Sequence, residues 1–282
     1  MKLTNKITRT ENSCAAPSIL VPGHQGNNDP LIAWADKDKK IWIMDKAHQL
    51  TGNTKIQVAN ETCVDGPVIT DKDGHFILAW TGTDANKHLN IRVSDPQQYL
   101  NFTHKLTLDE TSPCGPAIAS SKYGEIVIAW IGSGNKKINL AKVSLLPNAP
   151  FIKVFDKITL NEKSNDTPAL TFDAGNTLCL AWTGTNNKLN LIKNPFAPTP
   201  NKTTYNETSK SGPCLSMVFT PIDTFLGWVG KPNNQLNIAN FPTPAKTTFA
   251  DTSEYAYSCS FPYIAWAGTD KDHHLNVAKL TY

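Results

Sequence analysis

Apolar and polar positions along the chain fall into a unit that recurs six times. Its clearest copy runs Ile77-Leu78-Ala79-Trp80-Thr81-Gly82-Thr83-Asp84 and continues to Leu89-Asn90-Ile91. An apolar run ends in Trp, a Gly/Asp/Asn turn follows, and a short Leu-Asn-aliphatic run comes next. The same setting surrounds Trp34, Trp130, Trp182, Trp228 and Trp266. The second run reads Ile138-Asn139, Leu189-Asn190, Leu236-Asn237 and Leu275-Asn276, but Ile41-Trp42 in the first copy.

Ahead of each Trp run lies a segment that alternates apolar and polar residues and ends in an acid: Glu11, Glu61, Glu110, Glu162, Glu207 or Asp251. A Ser/Thr-rich turn closing on Pro follows in five units (Pro17, Pro67, Pro116, Pro168, Pro213), and then a short apolar run such as Ala117-Ile118-Ala119. Period-two alternation bounded by turn residues predicts four short strands per unit, and no helical periodicity competes with it. Successive Trp positions lie 46, 50, 52, 46 and 38 residues apart. Four antiparallel strands per 40–50 residues is the pattern of a propeller blade.

These features predict an all-β fold: a single six-bladed β-propeller of four-stranded antiparallel blades across 1–282. The repeats run roughly over 11–55, 56–105, 106–157, 158–202, 203–246 and 247–282 plus 1–10. The chain begins with an alternating strand and stops after a Leu-Asn strand, so the last unit lacks an outer strand. Pairing residues 3–10 with 274–281 would supply it and hide two open edges. The sixth unit has 15 residues from acid to Trp where the others have 19 to 23, which predicts a shortened first hairpin. The first carries a Gly/Asn-rich insertion from Gly23 to Asp29.

Composition narrows the function. The net charge is +3 with two arginines, Arg9 and Arg92, and no basic cluster, which argues against phosphate-backbone binding. No apolar run reaches the length of a membrane span, and the N-terminus shows no secretory signal, so localisation stays open between the cytoplasm and a non-classical route out. Six cysteines without a Cys-x-x-Cys read as small buried residues rather than a disulfide framework or a zinc site. The sequons at Asn60, Asn101, Asn165, Asn201 and Asn206 are what an Asn/Thr-rich chain produces. His273-His274 and the Asp-Lys-Asp turns miss the calcium-loop pattern, and no cofactor or metal is expected.

The recurring residues each admit two roles. A Trp at the end of a blade strand either packs between blades or offers an indole face to a pyranose, whose axial C–H groups stack on it. The turn acids Asp84 and Asp270 either build the hairpin or accept sugar hydroxyls. Asparagine is poor in a strand interior, so Asn90, Asn139, Asn190, Asn237 and Asn276 either tie the blade together or face a ligand. The acid of each alternating strand either caps backbone N–H groups in the following turn or accepts sugar hydroxyls. Because every promising polar residue is repeated, several equal binding sites fit better than one catalytic centre, and no nucleophile or paired-carboxylate motif stands apart.

The repeat, read from Pro116-Ala117-Ile118-Ala119 in the third copy and from Ala79-Trp80-Thr81-Gly82-Thr83-Asp84 to Leu89-Asn90 in the second, resembles repeats of bacterial propeller proteins often labelled sialidase-like. In architecture it is similar to the propeller lectins: the five-bladed tachylectin, the six-bladed fungal fucose-binding lectins and larger bacterial blade-repeat lectins. Sialidases grip the substrate carboxylate with three arginines, and two arginines rule that activity out. The lectin resemblance implies sugar sites between adjacent blades, with an aromatic from one and polar groups from the next. Carried onto this chain it implicates Trp80, Trp130, Trp182, Trp228 and Trp266 with Asp84, Asp270 and the five asparagines above. The resulting expectation is a non-catalytic, multivalent carbohydrate-binding protein whose partners are glycans, not nucleic acid or membrane, with homo-oligomerisation left open. The alternative is a propeller scaffold for protein–protein interaction.

Overall fold

The Trp-bearing runs fold as strands buried from end to end. Leu31–Ala35, Ile126–Ile131, Leu178–Thr183 and Tyr263–Ala267 contain no exposed position. A strand buried on both faces must be the middle of something covered on both sides. In this computed structural model, which describes residues 1–23, 29–149, 151–219, 222–241 and 245–282, the covering is the neighbouring blade. The described residues form six four-stranded antiparallel sheets arranged as a β-propeller.

The second blade shows the plan. From the inside outward it consists of Val68–Lys72, His75–Thr81, His88–Ser94 and Phe102–Thr111, each pairing with the next in antiparallel register. Trp80 stands opposite Asn90, as Trp130 does Asn139, Trp182 Asn190, Trp228 Asn237 and Trp266 Asn276. Outermost strands alternate between buried or half-buried and exposed positions, because one face meets a blade and the other meets water. Each alternating strand after the first joins the sheet of the residues that precede it. Lys55–Thr62, for instance, pairs with Lys40–Met44.

The ring closes as the sequence predicts. Lys2–Asn12 is the outermost strand of the sixth blade and pairs with His274–Thr281, from Lys2 opposite Thr281 to Asn12 opposite His274. The sixth blade's first hairpin is indeed short, with Ser258–Ser260 turning directly into Tyr263–Ala267. Most of the expected Gly23–Asp29 insertion lies outside the described residues.

The core is divided among the blade junctions, and each junction is centred on one indole. Trp80 packs among residues of the first and second blades, Trp130 between the second and third, and Trp182 between the third and fourth. Trp228, Trp266 and Trp34 complete the circuit. A large, rigid side chain suits this place, since it fills the wedge between two twisted sheets without costing much conformational entropy.

Candidate functional site

The tryptophans expected to meet ligand are interior. Trp80 is 0% exposed, and Trp130, Trp182, Trp228 and Trp266 are 1–2% exposed. The buried Nε1 atoms of Trp80 and Trp130 have no hydrogen-bond partner among the described residues. The indoles fill the wedges between blades, and with the lysines in place none of them has a bare face.

The five asparagines are also interior, at 4–5% exposed, and each amide donates one hydrogen bond and accepts one within its own blade. Asn90 Nδ2 donates to the His88 carbonyl at 3.0 Å, and its Oδ1 accepts from Thr107 Oγ1 at 2.7 Å. The same pair of bonds recurs at Asn139, Asn190, Asn237 and Asn276, with Thr159, Thr204, Thr248 and Thr8 as the hydroxyl donors. Each amide ties the third strand to the outermost strand beside a shift in register. The recurring glycine two residues after Trp makes room for it. A Cβ at Gly82, Gly132, Gly184, Gly230 or Gly268 would lie only 2.8–3.2 Å from the asparagine Nδ2. The first blade, with Trp42 in place of Asn, has Asp36 two residues after its Trp instead of glycine. Replacing Asn139 by alanine leaves the Thr159 hydroxyl without its acceptor and removes one of the two bonds to the Lys137 carbonyl, which keeps the Gly132 N–H at 2.8 Å. The expected loss is about 2 kcal/mol of stability, read as a lower urea midpoint with an unchanged slope.

Asp84 and Asp270 remain exposed, and they build the turn. Asp84 accepts the backbone N–H of Asn86 and His88 and meets His88 Nδ1 at 2.7 Å; Asp270 meets His274 Nδ1 at the same distance.

What the structure assembles at the blade junctions is a unit that includes a residue the sequence reading missed. Lys105, on the outermost strand of the second blade, reaches Glu61 on the outermost strand of the first at 2.8 Å. Its ammonium lies 5.5 Å from the centroid of the Trp80 ring. Lys157 pairs with Glu110 over Trp130, Lys202 with Glu162 over Trp182, and Lys246 with Glu207 over Trp228. Lys6, from the strand that closes the ring, pairs with Asp251 at 2.6 Å over Trp266. Lys55 pairs with Glu11 at 3.0 Å, but it lies over Trp42. Trp42 stacks on Trp34 with centroids 6.4 Å apart, is only half-buried, and donates Nε1–H to Asp36 at 2.7 Å. The recurring acid thus finds a lysine of the next blade. The signal was present in the sequence: lysine precedes the acid by five residues in five strands, and by six in Lys55–Glu61. The extra residue is taken up near Asn60, whose φ of 61° lies in the left-handed region.

The more exposed of these ion pairs contribute roughly 0–1 kcal/mol each, and a lysine over an indole about 0.5–1 kcal/mol; Glu61 differs in being buried and shared with Arg92 at 2.8 Å. Their consequence is chemical more than energetic. Each junction presents a hydrogen-bond donor from one blade and an acceptor from its neighbour above an aromatic floor. The junction of the fourth and fifth blades also holds a small cleft of about 30 Å³ lined by Tyr205, Glu207, Trp228, Asn240 and Lys246. The buried Oδ1 of Asn240 has no partner among the described residues.

A second concavity, about 470 Å³, opens where the innermost strands begin, at the mouth of the central channel. Asp65 and Asp166 belong to its lining and share a short polar bridge. Asp65 Oδ2 accepts from Thr167 Oγ1 at 3.0 Å, and the Thr167 N–H donates to Asp166 Oδ1 at 2.7 Å. Burial pushes the Asp166 carboxyl up to about 6, with help from the charge of Asp65 and against backbone N–H donation from Thr167 and Gly212. A carboxyl raised in the folded state favours folding while it is protonated, and that advantage is lost as pH rises through the folded value. Asp166→Asn is therefore expected to raise the melting temperature relative to the parent above pH 6, with the gain vanishing below pH 4. Among the described residues, no group of three His, Cys, Asp or Glu side chains is placed to hold a metal ion.

No family model and no curated protein matches the chain by sequence. Solved structures match its fold. A variant of the Aleuria aurantia lectin in complex with Fucα1-6GlcNAc superposes with a TM-score of 0.61 at 10% identity, covering 93% of this chain and 91% of that one. The fucose-specific lectin from Aleuria aurantia gives 0.63 at 9% identity, with 93% and 91% covered. The GH43_1 enzyme from Xanthomonas citri complexed with xylotriose gives 0.52 at 10% identity, with 87% and 93% covered. Lectins and glycoside-processing enzymes both use this architecture, so the fold alone does not choose between them.

Proposed function

We propose that the protein binds carbohydrate at the blade junctions, without catalysis, through the repeated lysine–carboxylate pair over an indole. The observation that carries this reading is the sixfold recurrence of that unit in a chain that otherwise departs from its repeat at several points. A vicinal diol suits such a pair. One hydroxyl accepts from the ammonium and the other donates to the carboxylate, while the ring carbons face the aromatic floor once the lysine turns aside. Trp80, Trp130, Trp182, Trp228 and Trp266 then act as floors beneath the lysines. The asparagines hold the hairpins, and Asp84 and Asp270 sit at the turns nearby. Single sites of about millimolar affinity would gain strength when several engage one glycan-bearing surface. Lectin function among the Aleuria aurantia structures of similar fold supports this reading.

The test is a glycan array followed by calorimetry on the best ligand. The expected result is more than one site per chain, with stoichiometry falling stepwise in Lys202→Ala and Lys246→Ala while the fold is retained. Retention of no glycan by folded protein would sink the proposal and turn attention to protein partners.

The channel mouth favours a second reading. Two linked carboxylates, one held partly protonated near neutral pH, are the equipment of glycoside hydrolysis. Turnover of aryl glycosides, abolished in Asp166→Asn, would establish it over simple binding.

A further inference from the structure

The junction between the fifth and sixth blades departs from the other five, and the departure brings two thiols together. Cys214 opens the fifth blade's innermost strand, Cys214–Phe219, and Cys259 lies in the middle of the sixth blade's, Ser258–Ser260. Their Sγ atoms are 3.1 Å apart. Two residues further along the same strands, the Phe261 N–H donates to Ser216 Oγ at 3.0 Å, so the two strands are held side by side in register. Gly227 contributes to the arrangement: the space its missing side chain would occupy holds Cys214 Sγ and the Tyr257 ring. Both cysteines border the cavity at the channel mouth, and Cys259 is only partly buried, which gives a small reagent a way in.

We propose that Cys214 and Cys259 are an oxidative modification site, forming a disulfide that staples the fifth blade to the sixth. A disulfide bond is about 2.05 Å long, so the sulfurs need to approach by only about 1 Å, within the reach of side-chain rotation. The co-reactant is a small-molecule disulfide. The Cys259 thiolate attacks one of its sulfurs, breaking that S–S bond and releasing one thiol. Cys214 then attacks the mixed disulfide at the Cys259 sulfur and releases the second. The cysteine pair loses two electrons and two protons; the reagent gains both as two thiols. The hydrogen bond to Cys214 and then burial hold the Cys259 thiol well above its usual range, so the reaction is slow at neutral pH. Once formed, the bond is shielded from bulky reductants by the same burial. Its position matters because the sixth blade is the one completed by the chain's first strand, and the staple fixes that blade to its neighbour covalently.

The experiment incubates the reduced, folded protein with hydroxyethyl disulfide and reads intact mass, remaining thiols and a peptide map. The expected result is a loss of two hydrogens in mass, four alkylatable thiols instead of six, and one cross-linked peptide pair joining Cys214 to Cys259. The oxidised form should melt about 5 °C or more above the reduced form, and reductant should erase the difference. Cys214→Ser and Cys259→Ser, each folded by circular dichroism, should show neither the mass change nor the shift in melting. Six thiols still alkylatable after oxidation, a cross-link through another cysteine, or a stable mixed disulfide on Cys259 that never resolves would each overturn the assignment.

Discussion

Deleting residues 1–12 is expected to lower the melting temperature by about 10–20 °C, from a loss on the order of 5 kcal/mol at roughly 2–4 °C per kcal/mol. The deletion removes an entire outermost strand and its ladder against His274–Thr281. It also removes the hydroxyl of Thr8 from Asn276, the Arg9 guanidinium from the Ala47 carbonyl, and both Lys6 and Glu11 from their ion pairs. The freed edge of His274–Thr281 would then be open to pairing with other molecules, so loss of solubility should accompany the loss of stability. Differential scanning calorimetry and light scattering read the two effects. Unchanged melting would mean that the ring holds without this strand.

Gly227→Ala is the second large effect, and it runs against the repeat. Five blades place alanine immediately before the Trp, at Ala33, Ala79, Ala129, Ala181 and Ala265, so the substitution looks like a return to consensus. In the structure a Cβ at Gly227 would fall 2.1 Å from the Tyr257 hydroxyl and 2.6 Å from Cys214 Sγ. Tyr257 is buried, with its hydroxyl bonded to the Asn237 carbonyl at 2.6 Å, and cannot step aside without breaking that bond. Overpacking of this severity costs about 3 kcal/mol, or about 6–12 °C in melting temperature. The compensating change is visible in the sequence. Where Tyr257 precedes its innermost strand, the other five blades have Pro17, Pro67, Pro116, Pro168 and Pro213. Gly227→Ala combined with Tyr257→Pro restores the pairing of the other junctions and should recover most of the loss. A double variant no more stable than the sum of its singles would show that the two positions are not coupled.

The fold was legible because blade geometry repeats its demands six times. A strand buried on both faces, a glycine turn and a second apolar run leave the same imprint at Trp80, Trp130 and Trp182, and the unmatched strands at the two ends point to each other. The candidate site was legible only in part, for a reason seen at Trp80. An indole wedged between sheets and an indole offered to a sugar both need a large aromatic beside a tight polar turn. What distinguishes them is the cover supplied by Lys105 and by the first blade, neither of which lies near Trp80 in the chain. Asn90 posed the same ambiguity, resolved by Thr107 on the next strand and by the space left at Gly82. The ion pairs escaped notice because the lysine and the acid of one strand are not each other's partners. Lys105 and Glu110 share a strand, yet Lys105 looks back to Glu61 and Glu110 forward to Lys157. Tyr205 and Asn240 have no counterpart in the other units, and Trp42 is marked only as the residue that replaces the recurring asparagine.

The closing strand also sets an order of assembly. Lys2 pairs with Thr281, so the strand that leads into the first blade is among the last to find its place. Five sheets can complete themselves from consecutive segments as the chain grows, each by short-range hairpins that form quickly. The sixth waits for two strands separated by nearly the whole propeller, and contacts of such long sequence separation are slow to form. During that wait an unclosed ring exposes two sheet edges, and the growing chain is most vulnerable to domain exchange with a second copy. Conditions that dilute the nascent protein or shield exposed strands should therefore raise the yield of closed monomer far more than they alter the stability of the finished ring.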